Sequence, residues 1–173
     1  MSLELIGPRA GRTSIIDVGA GVSTLADHLV DDGWTRIVLL DLSTEALQAT
    51  CCRLADRCTD VELVTGPVLD FSTNTPLDVW HDRAVFHFLH DDDRSRYVAT
   101  AAQSVRSGGH LVMATFANDG PEQCSGLPTM RYSADELATT FSPAFEMVSS
   151  QRHEHVTPWN TTQPFTWVVL RRM

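Results

Sequence analysis

Asp17-Val18-Gly19-Ala20-Gly21-Val22-Ser23 joins a short β-branched run, Thr13-Ser14-Ile15-Ile16, to a segment in which Leu25, Ala26, Leu29 and Val30 recur at helical spacing. A strand that turns through glycines into a helix lets backbone amides approach a ligand at the helix N-terminus. The run holds only Gly19-x-Gly21 of the GxGxxG dinucleotide fingerprint, and a GxG alone also serves as a plain tight turn. Its meaning therefore depends on the strands and acids around it.

Outward from this turn, apolar runs alternate with helical patterns. Thr35-Arg36-Ile37-Val38-Leu39-Leu40 predicts a second strand closed by Asp41, and Ser43 is placed to cap a helix running to Arg57. Residues 61–64 read as strand three, and Leu77-Asp78-Val79-Trp80 opens strand four. A helix is expected over 91–106 with Gly108-Gly109 as its stop, followed by strand five over 110–116. Residues 117–130 hold two glycines and two prolines, and a loop of that length in a compact domain is usually functional. Ser133 can cap a short helix over 134–141, after which 145–155 and 165–170 read as two final strands able to pair antiparallel. Such alternation predicts an α/β fold, a mostly parallel sheet with helices on both faces, in a single domain over 1–173.

Composition narrows the partners. A formal charge of −9 repels phosphate backbones and anionic lipid, which argues against nucleic acid. No apolar run is long enough to span a bilayer, and the opening Met1-Ser2-Leu3-Glu4-Leu5 lacks a basic leader, so a cytoplasmic location is expected. Cys51, Cys52, Cys58 and Cys124 form no CxxC pair, and three of them fall on one predicted helix; the expectation is reduced thiols without a disulfide. Nothing in the sequence bears on oligomeric state.

Three acids give the glycine turn its context. Asp41 ends strand two about twenty residues after Gly21, where folds of this type place a carboxylate for ribose hydroxyls. Asp17 precedes the glycines, where a carboxylate can meet a cationic amine. Asp70-Phe71 comes after strand three and offers a carboxylate to an exocyclic amine and a ring to a heteroaromatic face. Each acid alone is also what a cap or a solvated turn needs, but all three stand at the C-terminal ends of consecutive strands, the edge where open α/β sheets bind ligands.

Val-Gly-Ala-Gly after Asp17, with Asp41 and Asp70 after the next two strands, resembles the class I S-adenosylmethionine-dependent methyltransferases over nearly the whole chain. The resemblance implies a Rossmann-like sheet of seven strands in order 3-2-1-4-5-7-6 with strand seven antiparallel. It also implies S-adenosylmethionine as cofactor: Asp17, Gly19 and Gly21 with Ala20 would hold the methionine part, Asp41 with Leu42 the ribose, and Asp70 with Phe71 the adenine. Ser23 stands where many members carry a third glycine. About a dozen residues precede strand one, where the family usually carries a helical cover, so the chain is expected to be short of that lid: either it is truncated relative to its relatives, or a partner or the 117–130 loop covers the site instead.

Acceptor residues are expected at the ends of strands four and five. Trp80-His81-Asp82-Arg83 resembles a small bacterial group of these enzymes, as do Phe116 to Pro128 and His153-Glu154-His155-Val156-Thr157-Pro158-Trp159. His81 and Asp82 are the candidate bases, and Arg83, Cys124 and His155 the candidate acceptor contacts. Equally open is a structural reading in which Asp82 pairs with Arg83 and His81 packs under a helix. His87, inside an apolar segment, reads as structural, and no metal is assigned because no tetrahedral ligand spacing is present. The leading function is methyl transfer to a small molecule. The alternatives are methylation of a protein side chain and a non-catalytic module that binds cofactor or a partner. An NAD-dependent oxidoreductase is disfavoured by the missing GxGxxG and by Asp17.

Overall fold

The structure is a computed structural model that describes residues 3–6, 11–157 and 159–173; Pro158, in the run after His153, lies outside them. Seven strands, β1 (Ser14–Val18), β2 (Arg36–Asp41), β3 (Val61–Thr65), β4 (Leu77–Arg83), β5 (Val105–Phe116), β6 (Phe145–Val156) and β7 (Thr162–Arg172), form one sheet in order β3-β2-β1-β4-β5-β7-β6. The first five run parallel, and β7 is antiparallel to both β5 and β6. This is the Rossmann-like order that the sequence resemblance implies. Connections leave β1 toward β2 on one side and reach β4 on the other, so the C-terminal end of β1 is the switch point where a crevice opens.

Helices cover both faces. On one, Ala26 and Leu29 of α1 (Leu25–Asp31) and Leu47 and Leu54 of α2 (Thr44–Leu54) pack with Ile15, Val79 and Val112. On the other, Tyr97 and Ala101 of α3 (Asp91–Ser104) and Leu137 and Phe141 of α4 (Ala134–Phe141) pack with Ile16, Trp80 and Leu111. Alternation along the strands sorts these residues, because Ile15 and Ile16, like Val79 and Trp80, must point to opposite faces. Both predicted caps form: Ser43 Oγ accepts from the Ala46 amide, and Ser133 and Glu136 make a reciprocal capping box.

Two local expectations are corrected. Gly108-Gly109 does not stop α3, which ends at Ser104; both glycines lie inside β5. A Cβ on Gly109 would come within 2.8 Å of the Asp78 carbonyl, so glycine is required by the close approach of β4 to β5. The second correction concerns the cysteines. Residues seven apart on a continuous helix stand about 10 Å apart. Here α2 ends at Leu54, Ala55 takes a positive φ of 53°, and a 3-10 turn over Ala55–Asp60 folds back. Cys51 and Cys58 then lie 5.2 Å apart at Cα and form a disulfide, leaving Cys52 and Cys124 free.

The same end of α2 braces the glycine turn. Thr50 Oγ1 donates to the Gly21 carbonyl at 3.0 Å, and Arg53 donates to the Ser23 carbonyl at 2.6 Å. His87, in the 3-10 turn Phe86–Phe88 after β4, is fully buried as expected of a structural residue, and its Nδ1 accepts from the Phe116 amide at 3.3 Å.

The bridge and the buried imidazole each have a measurable effect on stability. Closing a loop of this length limits the unfolded chain by roughly 2 kcal/mol, so Cys58→Ser should lose about that much in denaturant unfolding without reductant. An unchanged midpoint would show that the bridge contributes nothing. Burial lowers the His87 pKa from 6.5 to about 4, so this side chain favours the fold while neutral. Its contribution is complete above pH 6.5 and is lost as pH falls toward 4, by about 3 kcal/mol in all. His87→Gln should therefore flatten the fall in stability across that window, and an unchanged slope would assign the acid sensitivity elsewhere.

Candidate functional site

The turn after β1 is shaped by two glycines and one carboxylate. Gly19 and Gly21 have φ of 67° and 52°, a region costly to residues with a Cβ. A Cβ on Gly19 would meet Val85 Cγ2 at 2.3 Å. The Gly19 amide donates to the Leu40 carbonyl at 2.8 Å, fastening the turn to the end of β2. Asp41 completes the fastening: Oδ2 accepts from the Gly21 amide and Oδ1 from the Ser43 amide, both at 2.8 Å.

Two cavities open along this sheet edge. The first, about 500 Å³, lies between Asp41 and Leu42 after β2, Val68 and Leu69 after β3, and Phe88 and Leu89 after β4. Its walls are apolar, and Leu42 is 74% exposed there, an apolar side chain left open beside a crevice. The second, about 310 Å³, is lined by Asp17, His81, Arg83, Cys124, His155 and Phe165 among others. Gly19, Arg83 and Ala84 line both, so the cavities meet over the glycine turn. At that junction Ala84 holds a φ of 71°, with its amide bound to the Ala114 carbonyl at 2.9 Å. A left-handed alanine is strained by about 1 kcal/mol, and such strain concentrates at functional sites.

His81 and Asp17 stand opposite each other on neighbouring strands, and Nδ1 of the imidazole lies 2.7 Å from Oδ1 of the carboxylate. Both are almost wholly buried, at 3% and 4% exposure, and His81 Nε2 has no hydrogen-bond partner. A carboxylate accepts at Nδ1 only if that nitrogen carries the proton, which leaves Nε2 as the basic atom.

Asp82 does not join them, which corrects the expectation of a second base. Neighbours on a strand point to opposite faces, so with His81 turned toward the cavity Asp82 is directed into the α3 side of the sheet. There it is fully buried and accepts from the Tyr97 hydroxyl, the Val85 amide at 2.8 Å and the Phe86 amide at 3.1 Å. Burial pushes its pKa up to about 6, against the lowering by Tyr97 and Val85. Its partner is Tyr97, which also accepts from Trp80 Nε1 at 2.9 Å, and not Arg83. Asp82 thus shapes the turn after β4 from beneath.

Arg83, Cys124 and His155 do come together with His81 in the second cavity. Asp70 and Phe71 are displaced from the expected place. The 3-10 turn Val68–Asp70 swings Leu69 into the first cavity while Asp70 pairs with Arg96 at 3.3 Å, and Phe71 packs edge-on against Trp80 with centroids 6.0 Å apart. Sequence reasoning missed Leu69, Phe88 and Leu89 because short 3-10 turns carry no periodic signal. It missed Gln163 because the register that sets it opposite His155 depends on the intervening loop. Residues 117–130 contribute to both cavities, Leu127 to the first and Cys124 to the second, from a small hairpin that pairs Gln123–Cys124 with Leu127–Pro128.

Known proteins share this architecture. An S-adenosylmethionine-dependent methyltransferase from Mesorhizobium loti superposes with a TM-score of 0.78 at 16% identity, covering 98% of this chain and 95% of that one. The N-methyltransferase NodS from Bradyrhizobium japonicum WM9, in complex with S-adenosylhomocysteine, gives 0.76 at 17%, covering 98% and 83%. A 1,6-didemethyltoxoflavin-N1-methyltransferase from Burkholderia thailandensis, with that compound and S-adenosylhomocysteine bound, gives 0.75 at 22%, covering 95% and 73%. These are likenesses of fold. Comparison with curated protein sequences gives no match. No helix among the described residues is long and apolar enough to cross a membrane. The sequence matches the family described as methyltransferase domain over residues 15–109, from β1 to the glycines of β5 and more than half of the 173 residues, and the chain belongs to that family.

Proposed function

We propose that the chain binds S-adenosylmethionine across the two cavities and transfers its methyl group to a small-molecule acceptor, with His81 as the proton acceptor. The observation that carries this reading is the junction at Gly19, Arg83 and Ala84, where an apolar cavity meets one lined by a buried, unpartnered imidazole nitrogen.

The residues fit the cofactor. The first cavity is open and apolar between Leu42 and Leu69, as a flat purine requires, and Asp41 at its edge has carboxylate oxygens within a ribose's reach of the turn. Glycine at position 19 keeps clear the passage that Val85 would otherwise close against a side chain. Asp17, at the other end of the turn, is the acid for the methionine amine. When bound, the cofactor supplies a sulfonium-activated methyl group for in-line displacement. This chain's own residues then have three tasks. Phe116 and Phe165 form an apolar wall for the acceptor, with ring centroids 4.9 Å apart. His81 Nε2 takes the proton that the acceptor heteroatom releases, while Asp17 fixes the ring and its tautomer from the Nδ1 side. The 117–130 segment, through Leu127 and Cys124, covers both cavities and excludes water.

A small acceptor is favoured because the second cavity, about 310 Å³, suits a small ligand. Two of the similar folds hold S-adenosylhomocysteine, one with 1,6-didemethyltoxoflavin also bound, which supports the same reading.

Asp41→Ala should weaken S-adenosylmethionine binding by about 1 to 3 kcal/mol in calorimetry, through lost charge-assisted hydrogen bonds and a released Gly21 amide. Equal affinities would remove Asp41 from the cofactor site. His81→Gln should lower methyl incorporation from labelled cofactor in a cell extract by about a hundredfold or more while calorimetric affinity for S-adenosylhomocysteine stays within a few-fold. Full incorporation by the variant would leave His81 a structural residue.

A further inference from the structure

Among the described residues the arginine side chains are almost all engaged. In a protein of net charge −9, Arg53, Arg57, Arg94, Arg106, Arg131 and Arg152 are each ion-paired, and Arg36 and Arg172 donate to backbone carbonyls. The Arg83 side chain has neither an ion pair nor a hydrogen bond among the described residues, although 22 acids are present in the sequence and Asp17 lines the same cavity. A guanidinium left free beside a cavity is a ready fork for an anion.

The cavity holds charge of both kinds. Its acid, Asp17, sits on β1 and is already engaged by His81, whereas Arg83 closes the neighbouring β4 and His155 stands on β6, the far edge of the sheet. His155 is kept from protonating first by burial and then by the Arg83 charge, which places the two groups within electrostatic reach. Between the strands of Arg83 and His155 lie those that carry the rings of Phe116 and Phe165, and Gln163 stands opposite His155 on β7. Hence the acid that would meet a methionine amine already has a partner in His81, and the guanidinium of Arg83 is the charge left for the acceptor.

We propose that the acceptor carries a carboxylate, gripped by Arg83 with His155 beside it, on a small apolar body that lies against Phe116 and Phe165 beneath Cys124. This rests on the proposed placement of cofactor and acceptor in the two cavities. The competing source of the same chemistry is the carboxylate of the cofactor's own methionine part, which Arg83, lining both cavities, also borders.

Protein saturated with S-adenosylhomocysteine is titrated calorimetrically with benzoate, hydroxyphenylacetate and anthranilate, each against its neutral amide. The acids should bind about tenfold or more tightly than their amides, and Arg83→Met should abolish that preference. Because the Arg83 side chain bonds to no other described residue, the variant should unfold at the temperature of the parent. A second arm compares S-adenosylhomocysteine with methylthioadenosine, which lacks the amino-acid carboxylate. The proposal requires Arg83→Met to change both affinities by the same factor. Loss confined to S-adenosylhomocysteine assigns Arg83 to the cofactor and overturns the proposal, as does equal binding of acids and amides or binding of neither. Failure of the parent protein to bind S-adenosylhomocysteine would instead overturn the reading on which the proposal rests.

Discussion

Asp17 and His81 meet across two adjacent parallel strands, 2.7 Å apart and almost wholly out of solvent. A carboxylate in that position costs several kcal/mol unless it is hydrogen-bonded, and an imidazole there needs an acceptor for its ring proton. Each meets the other's requirement, and the pairing fixes the strand register at the switch point: Asp17 faces His81 and Val18 faces Asp82. Because a slip of one residue would reverse every side chain, the same contact settles which residues face the cavity and which face the core. The imidazole keeps one nitrogen without a partner, and its ring lines the second cavity.

Around this pair the sheet edge is held from several sides. Asp41 binds the amides of Gly21 and Ser43, so the end of β2 and the turn after β1 move as one unit. The end of α2 grips the same turn through Thr50 and Arg53, and the disulfide just beyond shortens the path by which that helix end could fray. Beneath β4, Asp82 binds the amides of Val85 and Phe86 and places Ala84 in its left-handed conformation at the junction. A preorganised edge of this kind suits in-line displacement, in which the protein mainly aligns two reactants.

Much of this was legible in the sequence. Period-two and helical patterns located all seven strands and four helices, and the glycines and acids after β1 and β2 marked the edge that carries the cavities. The resemblance to class I enzymes supplied the strand order. The features that stayed hidden have two physical causes. Direction along a strand depends on alternation counted from a correct start, so His81 and Asp82 look equivalent as letters yet face opposite sides. Short 3-10 turns and left-handed residues have no periodicity, so the turn that directs Asp70 outward and the break at Ala55 that joins Cys51 to Cys58 left no pattern to read.

The central claim is that one ligand spans both cavities through the Gly19, Arg83 and Ala84 junction. A crystal structure of the protein with S-adenosylhomocysteine tests it most directly. The account predicts the adenosine between Leu42 and Leu69, the ribose at Asp41, and the amino-acid tail passing over Gly19 toward Asp17, with the sulfur facing the cavity that holds His81. A ligand confined to one cavity, bound at another edge of the sheet, or seated with its sulfur turned away from His81 would contradict it.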